Sequence, residues 1–207
     1  MSRSCAIFGG GDSVSLETVN NELVGDELMI AADSGYLLMK KLGFSPDLII
    51  GDFDSAPEPD CQNKEVYPVE KDDTDLMLAI KHGISEGCSR FVFFGATGGR
   101  LDHTFAAVQS LAYLLDNRAS GVITSDDVRI ELLDPGVYSI IKKDGFTLSL
   151  LAFSEKVEGL TVSGTKYCCE NICLSSSFPL GVSNSIEKSS ASVSFSEGRL
   201  LVICSKL

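Results

Sequence analysis

The sequence is poor in positive charge, and it contains no tryptophan and only two histidines. Its 207 residues include 17 lysines and arginines against 29 aspartates and glutamates, which gives a formal net charge of −12 (17 − 29). Nucleic acid backbones and anionic membrane surfaces repel a chain of this charge, so neither is an expected partner. A nucleotide can still bind where a metal ion or basic residues reverse the charge locally.

Long apolar runs and paired cysteines are also missing. No window approaches the roughly 18 apolar residues of a membrane-spanning helix, and the N-terminal sequence MSRSCAIFGGGDS lacks the pattern of a signal peptide. The seven cysteines are odd in number and lack paired spacing, which argues against a disulfide framework and for a reducing compartment. The CxxxC spacing in CCENIC has no histidine nearby, so strand cysteines are favoured over a zinc site there. We therefore expect a cytoplasmic protein.

Two kinds of pattern divide the chain. In its first part, short apolar runs such as LIIG alternate with segments of helical spacing such as DTDLMLAIKHGISEG. This alternation predicts an α/β domain with a mostly parallel sheet. In its second part, short apolar runs separated by Pro-Gly and Asp-Gly turns are typical of an antiparallel β-sandwich or barrel. We predict an α/β domain over residues 1–125, followed by an all-β, sandwich-like domain over residues 126–207.

Aspartates recur where the predicted strands end. Asp33 follows the run LMIAA, and Asp52 and Asp54 follow LIIG. The carboxyl ends of parallel strands border one crevice, where ligands of open α/β sheets bind. Carboxylates in one crevice repel each other unless a cation is present, and Mg²⁺ takes carboxylate oxygens together with substrate phosphates. The pattern therefore indicates a site for Mg²⁺ and a polyphosphate, although Asp-x-Asp alone is also common in turns.

A second acidic segment, KDDTD at residues 71–75, begins a predicted helix. Aspartates at a helix start commonly cap the first turn or interact with the helix dipole, so for this segment alone capping and function are equally good explanations. The functional interpretation is favoured because Asp72, Asp73 and Asp75 are expected to lie at the shared crevice.

The segment FFGATGGRLDHTF, residues 93–105, joins a predicted strand to a predicted helix. Gly98 and Gly99 let backbone N–H groups approach a phosphate closely, and Arg100 adds a fork of donors suited to phosphate oxygens. A Gly-Gly pair alone could be a tight turn, but Arg100 and Asp102 beside it favour phosphate binding. Neither histidine of the chain receives a catalytic role.

The segments AADSG, GDFDS, KDDTDLMLAI, GATGGRLDH and GVSNS follow one another along the chain. In this order and at this spacing they resemble the motifs of thiamine pyrophosphokinases, and the resemblance covers nearly the whole sequence. It implies an α/β N-terminal domain, a β-sandwich C-terminal domain and a homodimer with active sites between subunits. It also implies Mg²⁺ as cofactor and a reaction in which ATP and thiamine give thiamine diphosphate and AMP.

The resemblance further implies roles for individual residues. Mg²⁺ would be bound by Asp52, Asp54 and Asp75. These three residues, with Arg100 and Asp102, would form the catalytic set, and either Asp75 or Asp102 would accept the proton of the thiamine hydroxyl. Nucleotide contacts would come from Asp33, Lys71, Asp72, Thr74, Thr97, Gly98, Gly99 and Arg100.

Thiamine contacts are implied for Ser183 and Asn184, which match the SN signature of the family near the thiamine pocket. Many members of the family hold the thiamine rings with a tryptophan, which this chain lacks. Tyr167 and Phe178 are the aromatic candidates for its place.

Two other functional interpretations stay open at the level of sequence. One is another Mg²⁺-dependent phosphotransferase or phosphohydrolase with the same acidic crevice. The other is a non-catalytic protein that binds thiamine or a nucleotide. The kinase makes AMP from ATP only when thiamine is present, and a binder takes up thiamine without turnover, so these two assays distinguish the three interpretations.

Overall fold

The computed structural model describes residues 3–51, 64–66 and 73–207. The chain forms two compact units, Met1–Asp126 and Asp127–Leu207. Alternating strands and helices occupy the first unit, and the described elements of the second unit are all strands.

The first unit is built on a parallel sheet. Its strands are β1 (Arg3–Phe8), β2 (Leu28–Ala32), β3 (Leu48–Gly51), β4 (Lys64–Val66), β5 (Cys88–Phe94) and β6 (Ser120–Thr124). Its helices are α1 (Leu16–Glu22), α2 (Gly35–Leu42), α3 (Asp75–Ser85) and α4 (Leu101–Asp116). The strands pair in the order β4-β3-β2-β1-β5-β6, and each of these pairs is parallel.

The central strands β1 and β5 carry the core of the first unit. Their carboxyl-terminal halves, with the sequences CAIF and FVFF, are buried throughout. Continuous apolar runs of this kind are typical of parallel strands that are covered on both faces. The rings of Phe8 and Phe94 pack at the ends of the two strands with centroids 4.9 Å apart. The strand ends that face the candidate site are therefore firmly packed.

The second unit consists of two antiparallel sheets. Its strands are β7 (Val128–Leu133), β8 (Gly136–Ile141), β9 (Phe146–Ala152), β10 (Lys156–Ser163), β11 (Cys169–Ser175), β12 (Ser190–Phe195) and β13 (Leu200–Lys206). One sheet has the order β7-β13-β9 and the other the order β11-β10-β12-β8. Along β12 buried Ala191, Val193 and Phe195 alternate with more exposed serines, and one core cluster joins them to Leu148 of β9 and Val202 of β13.

The predicted fold class is confirmed. The N-terminal part is α/β with a parallel sheet, and the C-terminal part is all-β with two antiparallel sheets that share a core. Within the described part of the chain, none of the helices is both long and apolar enough to cross a membrane.

Helix α2 begins so close to strand β1 that its first position has no room for a side chain. A Cβ atom added to Gly35 would overlap the carbonyl oxygen of Phe8 and would lie 3.0 Å from the amide nitrogen of Gly9. Both neighbours are backbone atoms next to a buried strand, so they cannot swing away as a side chain could. Glycine at this position therefore fixes how the turn after β2 meets the end of β1.

We expect the substitution Gly35→Ala to lower the free energy of unfolding by about 3 kcal/mol, the upper part of the range for overpacking a core. The matched control is Gly43→Ala at the end of α2, where an added Cβ meets open space and only the positive φ of 83° causes strain, about 1 kcal/mol. Urea unfolding of both variants measures the difference. Equal losses in the two variants would contradict the close approach of α2 to β1.

Candidate active site

The order of the parallel strands defines a crevice between β1 and β5. The chain builds the sheet outward from β1 through β2 and β3 on one side and through β5 and β6 on the other. Ligands of such sheets bind at this switch point, outside the carboxyl ends of the strands. The loops that follow β1 and β5 pair there: the Gly11 N–H donates to the Gly95 carbonyl (2.7 Å), and the Asp12 N–H donates to the Thr97 carbonyl (2.7 Å).

The loop after β5 contains the predicted phosphate segment. Gly98 and Gly99 both adopt positive φ angles, 78° and 61°. A Cβ atom at Gly98 would overlap the carboxyl group of Asp12, so the left-handed turn and the contact with the neighbouring loop both require glycine at this position. Thr97, Gly98 and Gly99 are thereby brought together in one loop that leads directly into α4.

Asp12 is a residue of the candidate site that the sequence analysis missed. Its exposed side chain lies against Gly98, at the centre of the predicted phosphate segment. The sequence GGGD directly after β1 was the available signal, because a glycine run at the end of a central strand allows close backbone contact.

Arg100 and Asp102 form a bidentate ion pair at the start of α4. The Arg100 Nε donates to Asp102 Oδ1 (3.2 Å) and Nη2 donates to Oδ2 (2.7 Å), while the His103 N–H also donates to Oδ1 (3.1 Å). The hydrogen bond from Arg100 lowers the pKa of Asp102 and raises the pKa of the guanidinium. Asp102 therefore stays ionised at neutral pH, and the pair holds the guanidinium through its Nε and Nη2 groups.

The start of α3 carries both structural and candidate functional groups. Thr74 is the N-cap of the helix, and its hydroxyl oxygen accepts a hydrogen bond from the Met77 N–H (3.2 Å). Asp73 pairs with Lys81 at 2.6 Å. Capping thus accounts for Thr74 and pairing for Asp73, so the cap of this helix is the threonine of KDDTD and not one of its aspartates. Asp75, the first residue of the helix, lies in the turn that favours negative charge.

Asp33 follows β2 in a strained conformation. Its φ is +50°, a value that few residues other than glycine adopt, and its N–H donates to the Ile50 carbonyl at 2.7 Å. Its buried Oδ1 has no hydrogen-bond partner among the described residues. A buried carboxylate oxygen without a donor is costly, so the atom is suited to a cation or a donor supplied by a ligand. The next residue, Ser34, contacts Gly10 of the loop after β1, which places Asp33 at the same crevice.

The predicted metal site rests partly on residues outside the described ranges. Asp52 and Asp54, together with Lys71 and Asp72, lie in the undescribed segments. Across residues 3–51, 64–66 and 73–207, no three histidine, cysteine, aspartate or glutamate side chains gather into a metal site. Of the predicted metal set, Asp75 lies in the described ranges. Asp33 was predicted as a nucleotide contact, and its Oδ1, which has no partner among the described residues, fits a cation.

The predicted thiamine residues lie in the second unit. Ser183 has a positive φ of 60°, and its N–H donates to the Ser149 hydroxyl at 3.1 Å. Asn184 directs its carboxamide to the backbone of Tyr167. Of the two aromatic candidates, Tyr167 therefore neighbours the SN signature directly, whereas Phe178 lies in the turn that follows β11. Both rings are exposed, at 64% and 65% of their residue surface.

Two protein-family models match the chain. The model of the thiamin pyrophosphokinase catalytic domain matches residues 19–123, and the model of the thiamin pyrophosphokinase vitamin B1 binding domain matches residues 138–200. Each match falls within one of the two structural units.

Individual relatives agree with the family models. Thiamine pyrophosphokinase from Bacillus subtilis is 32% identical over 205 residues, which cover 95% of this chain and 96% of that protein. The crystal structure of thiamine pyrophosphokinase from Bacillus subtilis superposes with a TM-score of 0.89 at 28% identity, covering 99% of both chains. That of thiamin pyrophosphokinase from Geobacillus thermodenitrificans gives 0.85 at 31% identity, covering 99% of this chain and 98% of that one. On its sequence, on its fold and in both of its units, this chain belongs to the thiamin pyrophosphokinase family.

Proposed function

We propose that this protein transfers the pyrophosphoryl group of ATP to the hydroxyl of thiamine, giving thiamine diphosphate and AMP. Family membership confirms the enzyme class predicted from the sequence, and it does not favour another phosphotransferase or a non-catalytic binder. One observation of geometry carries the proposal. A glycine turn and an oriented arginine lie at the start of α4, beside the switch point of the sheet, where the phosphates of a nucleotide find N–H donors and positive charge.

The nucleotide contacts are proposed for the loops around this crevice. Thr97, Gly98, Gly99 and Arg100 would hold the phosphates, since helix N-termini and guanidinium groups both favour anions. Further proposed contacts come from Asp33, Lys71, Asp72 and Thr74. We assign nucleotide binding and catalysis to residues 1–125 and thiamine binding to residues 126–207, an assignment supported by the extents of the two family matches.

Mg²⁺ is the proposed cofactor. Asp52, Asp54 and Asp75 would hold it. Oδ1 of Asp33, which has no hydrogen-bond partner in the described part of the chain, supports a cation at this edge of the sheet. When bound, Mg²⁺ supplies charge neutralisation for the phosphate oxygens. The acidic side chains supply oxygen ligands of the kind that Mg²⁺ prefers.

In the proposed transfer, the thiamine hydroxyl oxygen bonds to the β-phosphorus of ATP. The bond from the β-phosphorus to the oxygen that bridges the α- and β-phosphates breaks, and AMP leaves. Arg100 neutralises charge on the phosphate oxygens, and alignment of the two reactants does most of the remaining work. Asp75 and Asp102 are the two candidates to accept the hydroxyl proton.

Tyr167 is the proposed aromatic contact for thiamine, and Ser183 lies nearby in the SN signature that the family resemblance links to the thiamine pocket. The positively charged thiazolium ring of thiamine suits the face of a tyrosine ring. We also propose a homodimer with active sites between subunits, as the family resemblance implies, and a cytoplasmic location, as the unpaired cysteines indicate.

The activity and its metal dependence are tested together. Wild-type protein should release AMP from ATP only when thiamine and Mg²⁺ are both present, and a chelator should stop the reaction reversibly. The substitution Asp54→Asn should lower kcat by about 100- to 1,000-fold, the loss typical of removing one group that stabilises charge in the transition state. Chromatography of AMP and thiamine diphosphate measures both.

The matched control for Asp54→Asn is Asp26→Asn, which neutralises an exposed aspartate between α1 and β2 and should leave kcat unchanged. Full activity of the Asp54 variant at the wild-type melting temperature would contradict the metal role. AMP release without thiamine would point instead to a phosphohydrolase.

Arg100 and Asp102 should differ in their effects on ATP. Arg100→Ala removes the cation and should lower kcat/KM for ATP by about 100-fold. Asp102→Asn leaves the cation in place but removes the carboxylate that orients it, so it should lower kcat/KM for ATP by about 10-fold. Since the pKa of Asp102 is lowered, the pH profile of kcat above about pH 5 should keep its shape in Asp102→Asn. Steady-state kinetics from pH 5 to 9 check both statements. A larger loss of kcat in Asp102→Asn than in Arg100→Ala would identify Asp102 as the proton acceptor.

The ring of Tyr167 should matter for thiamine and not for ATP. Tyr167→Ala should raise KM for thiamine by about 10-fold through the lost aromatic contact, while Tyr167→Phe keeps the ring and should stay within about twofold of wild type. Phe178→Ala removes an equally exposed ring and is the matched control. A rise of KM in Phe178→Ala but not in Tyr167→Ala would reassign the thiamine contact to Phe178.

A further inference from the structure

The carboxamide of Asn184 is occupied by the protein's own backbone. Its Oδ1 accepts hydrogen bonds from the N–H groups of Tyr167 (3.0 Å) and Ser185 (2.9 Å), and its Nδ2 donates to the Tyr167 carbonyl (2.8 Å). A carboxamide offers two donor hydrogens and two acceptor lone pairs, so three of its four positions are filled within the chain. Little capacity is left for a polar group of the substrate.

The two bonds to Tyr167 resemble those of a strand pair. Asn184 uses one acceptor and one donor on the same residue, as a neighbouring strand would. We call these two bonds from the Asn184 side chain to the Tyr167 backbone the clamp. The clamp is anchored in the core, because the backbone of Asn184 exchanges two 2.9 Å hydrogen bonds with Leu148, which is fully buried in β9. The hydroxyl of buried Thr165 also donates to the Tyr167 carbonyl (3.0 Å). Tyr167 thus has a rigid backbone beneath an exposed ring.

Phe178, the other aromatic candidate for the thiamine contact, is held differently from Tyr167. Its N–H donates to the Ser175 carbonyl (3.2 Å), and its carbonyl accepts from the Leu180 N–H (2.9 Å). These are bonds of a local turn between near neighbours in sequence. Tyr167 is instead held by a side chain 17 residues away in sequence. These bonds fix the backbone from which the exposed Tyr167 ring projects, and the Lys166 Nζ lies 5.3 Å from the centroid of that ring.

We propose that Asn184 is a positioning residue that holds the ring of Tyr167 in place for thiamine and does not itself contact the substrate. The proposal rests on the proposed function, and it revises the role that the family motif implies for Asn184. Because the backbone is ordered before the ligand arrives, less conformational entropy is lost when the ring meets thiamine. Removal of the clamp should therefore weaken thiamine binding and leave the chemistry of ATP untouched.

A double-mutant cycle tests this coupling. Asn184→Ala should raise KM for thiamine by about 3- to 10-fold, with kcat and KM for ATP within about twofold of wild type. In a Tyr167→Ala background the same change should add less than about twofold, since the group that Asn184 positions is already gone. Equal effects of Asn184→Ala in both backgrounds would overturn the proposal and make Asn184 a direct substrate contact.

Two further variants sharpen the cycle. Asn184→Asp keeps an acceptor for the Tyr167 N–H but turns a carboxylate oxygen toward the Tyr167 carbonyl, so it should raise KM for thiamine at least as much as alanine does. Asn117→Ala is the matched control, because Asn117 Nδ2 donates to the Tyr113 carbonyl at the same 2.8 Å at the end of α4. This control should leave KM for thiamine unchanged. Wild-type KM in Asn184→Asp would overturn the proposal.

Hydrogen exchange on the wild-type protein provides a measurement that needs no variant to fold. The amide of Tyr167 should exchange slowly although its ring is exposed, and fast exchange would overturn the clamp. The activity of the wild-type protein distinguishes a failure of this inference from a failure of the proposed function. A wild-type protein that makes no thiamine diphosphate overturns the proposed function and the inference with it, whereas an active wild type with additive substitutions overturns the inference alone.

Discussion

The candidate active site depends on the backbone pairing between the loops that follow β1 and β5. Hydrogen bonds from Gly11 to Gly95 and from Asp12 to Thr97 continue the contact of the two central strands beyond the end of the sheet. This pairing fixes the course of the second loop, so Gly98 lies against Asp12 and the chain enters α4 with Arg100 at its start. Since the carboxyl-terminal halves of the strands beneath are buried, the loops rest on a part of the protein that moves little. The position of the groups proposed to bind phosphate is therefore a consequence of core packing.

Charge sets the second constraint on the site. The chain carries a net charge of −12, and two cations near the starts of α3 and α4 already have carboxylate partners, Lys81 with Asp73 and Arg100 with Asp102. Such pairs orient the cations but cancel much of their charge at longer range. A polyphosphate brings several negative charges into this environment. The described cations alone do not balance them, and for this reason a bound metal ion is part of the proposed function.

The sequence predicted the fold class and the glycine turn between β5 and α4 because both depend on local patterns. Alternation of apolar runs with helical spacing identifies an α/β domain, and GATGGRLDH is one continuous segment. Asp12 was missed because its role arises from the pairing of two loops about 85 residues apart, which no local pattern reveals. The role of Thr74 was ambiguous for a different reason, since a helix cap and a ligand contact require the same kind of side chain. Asn184 matched a family motif, but only the tertiary structure shows that its carboxamide faces Tyr167.

The absence of tryptophan gives the clamp on Tyr167 its significance. A tyrosine ring offers less contact area than an indole, so it must gain affinity in another way. Fixing the ring before the ligand binds reduces the entropy lost on binding, and this gain does not require additional contact area. The second unit provides such rigidity, because Asn184 is joined by backbone hydrogen bonds to a buried strand. In the proposed thiamine site, the choice of aromatic residue and the bonds of the residue that holds it are therefore two parts of one solution.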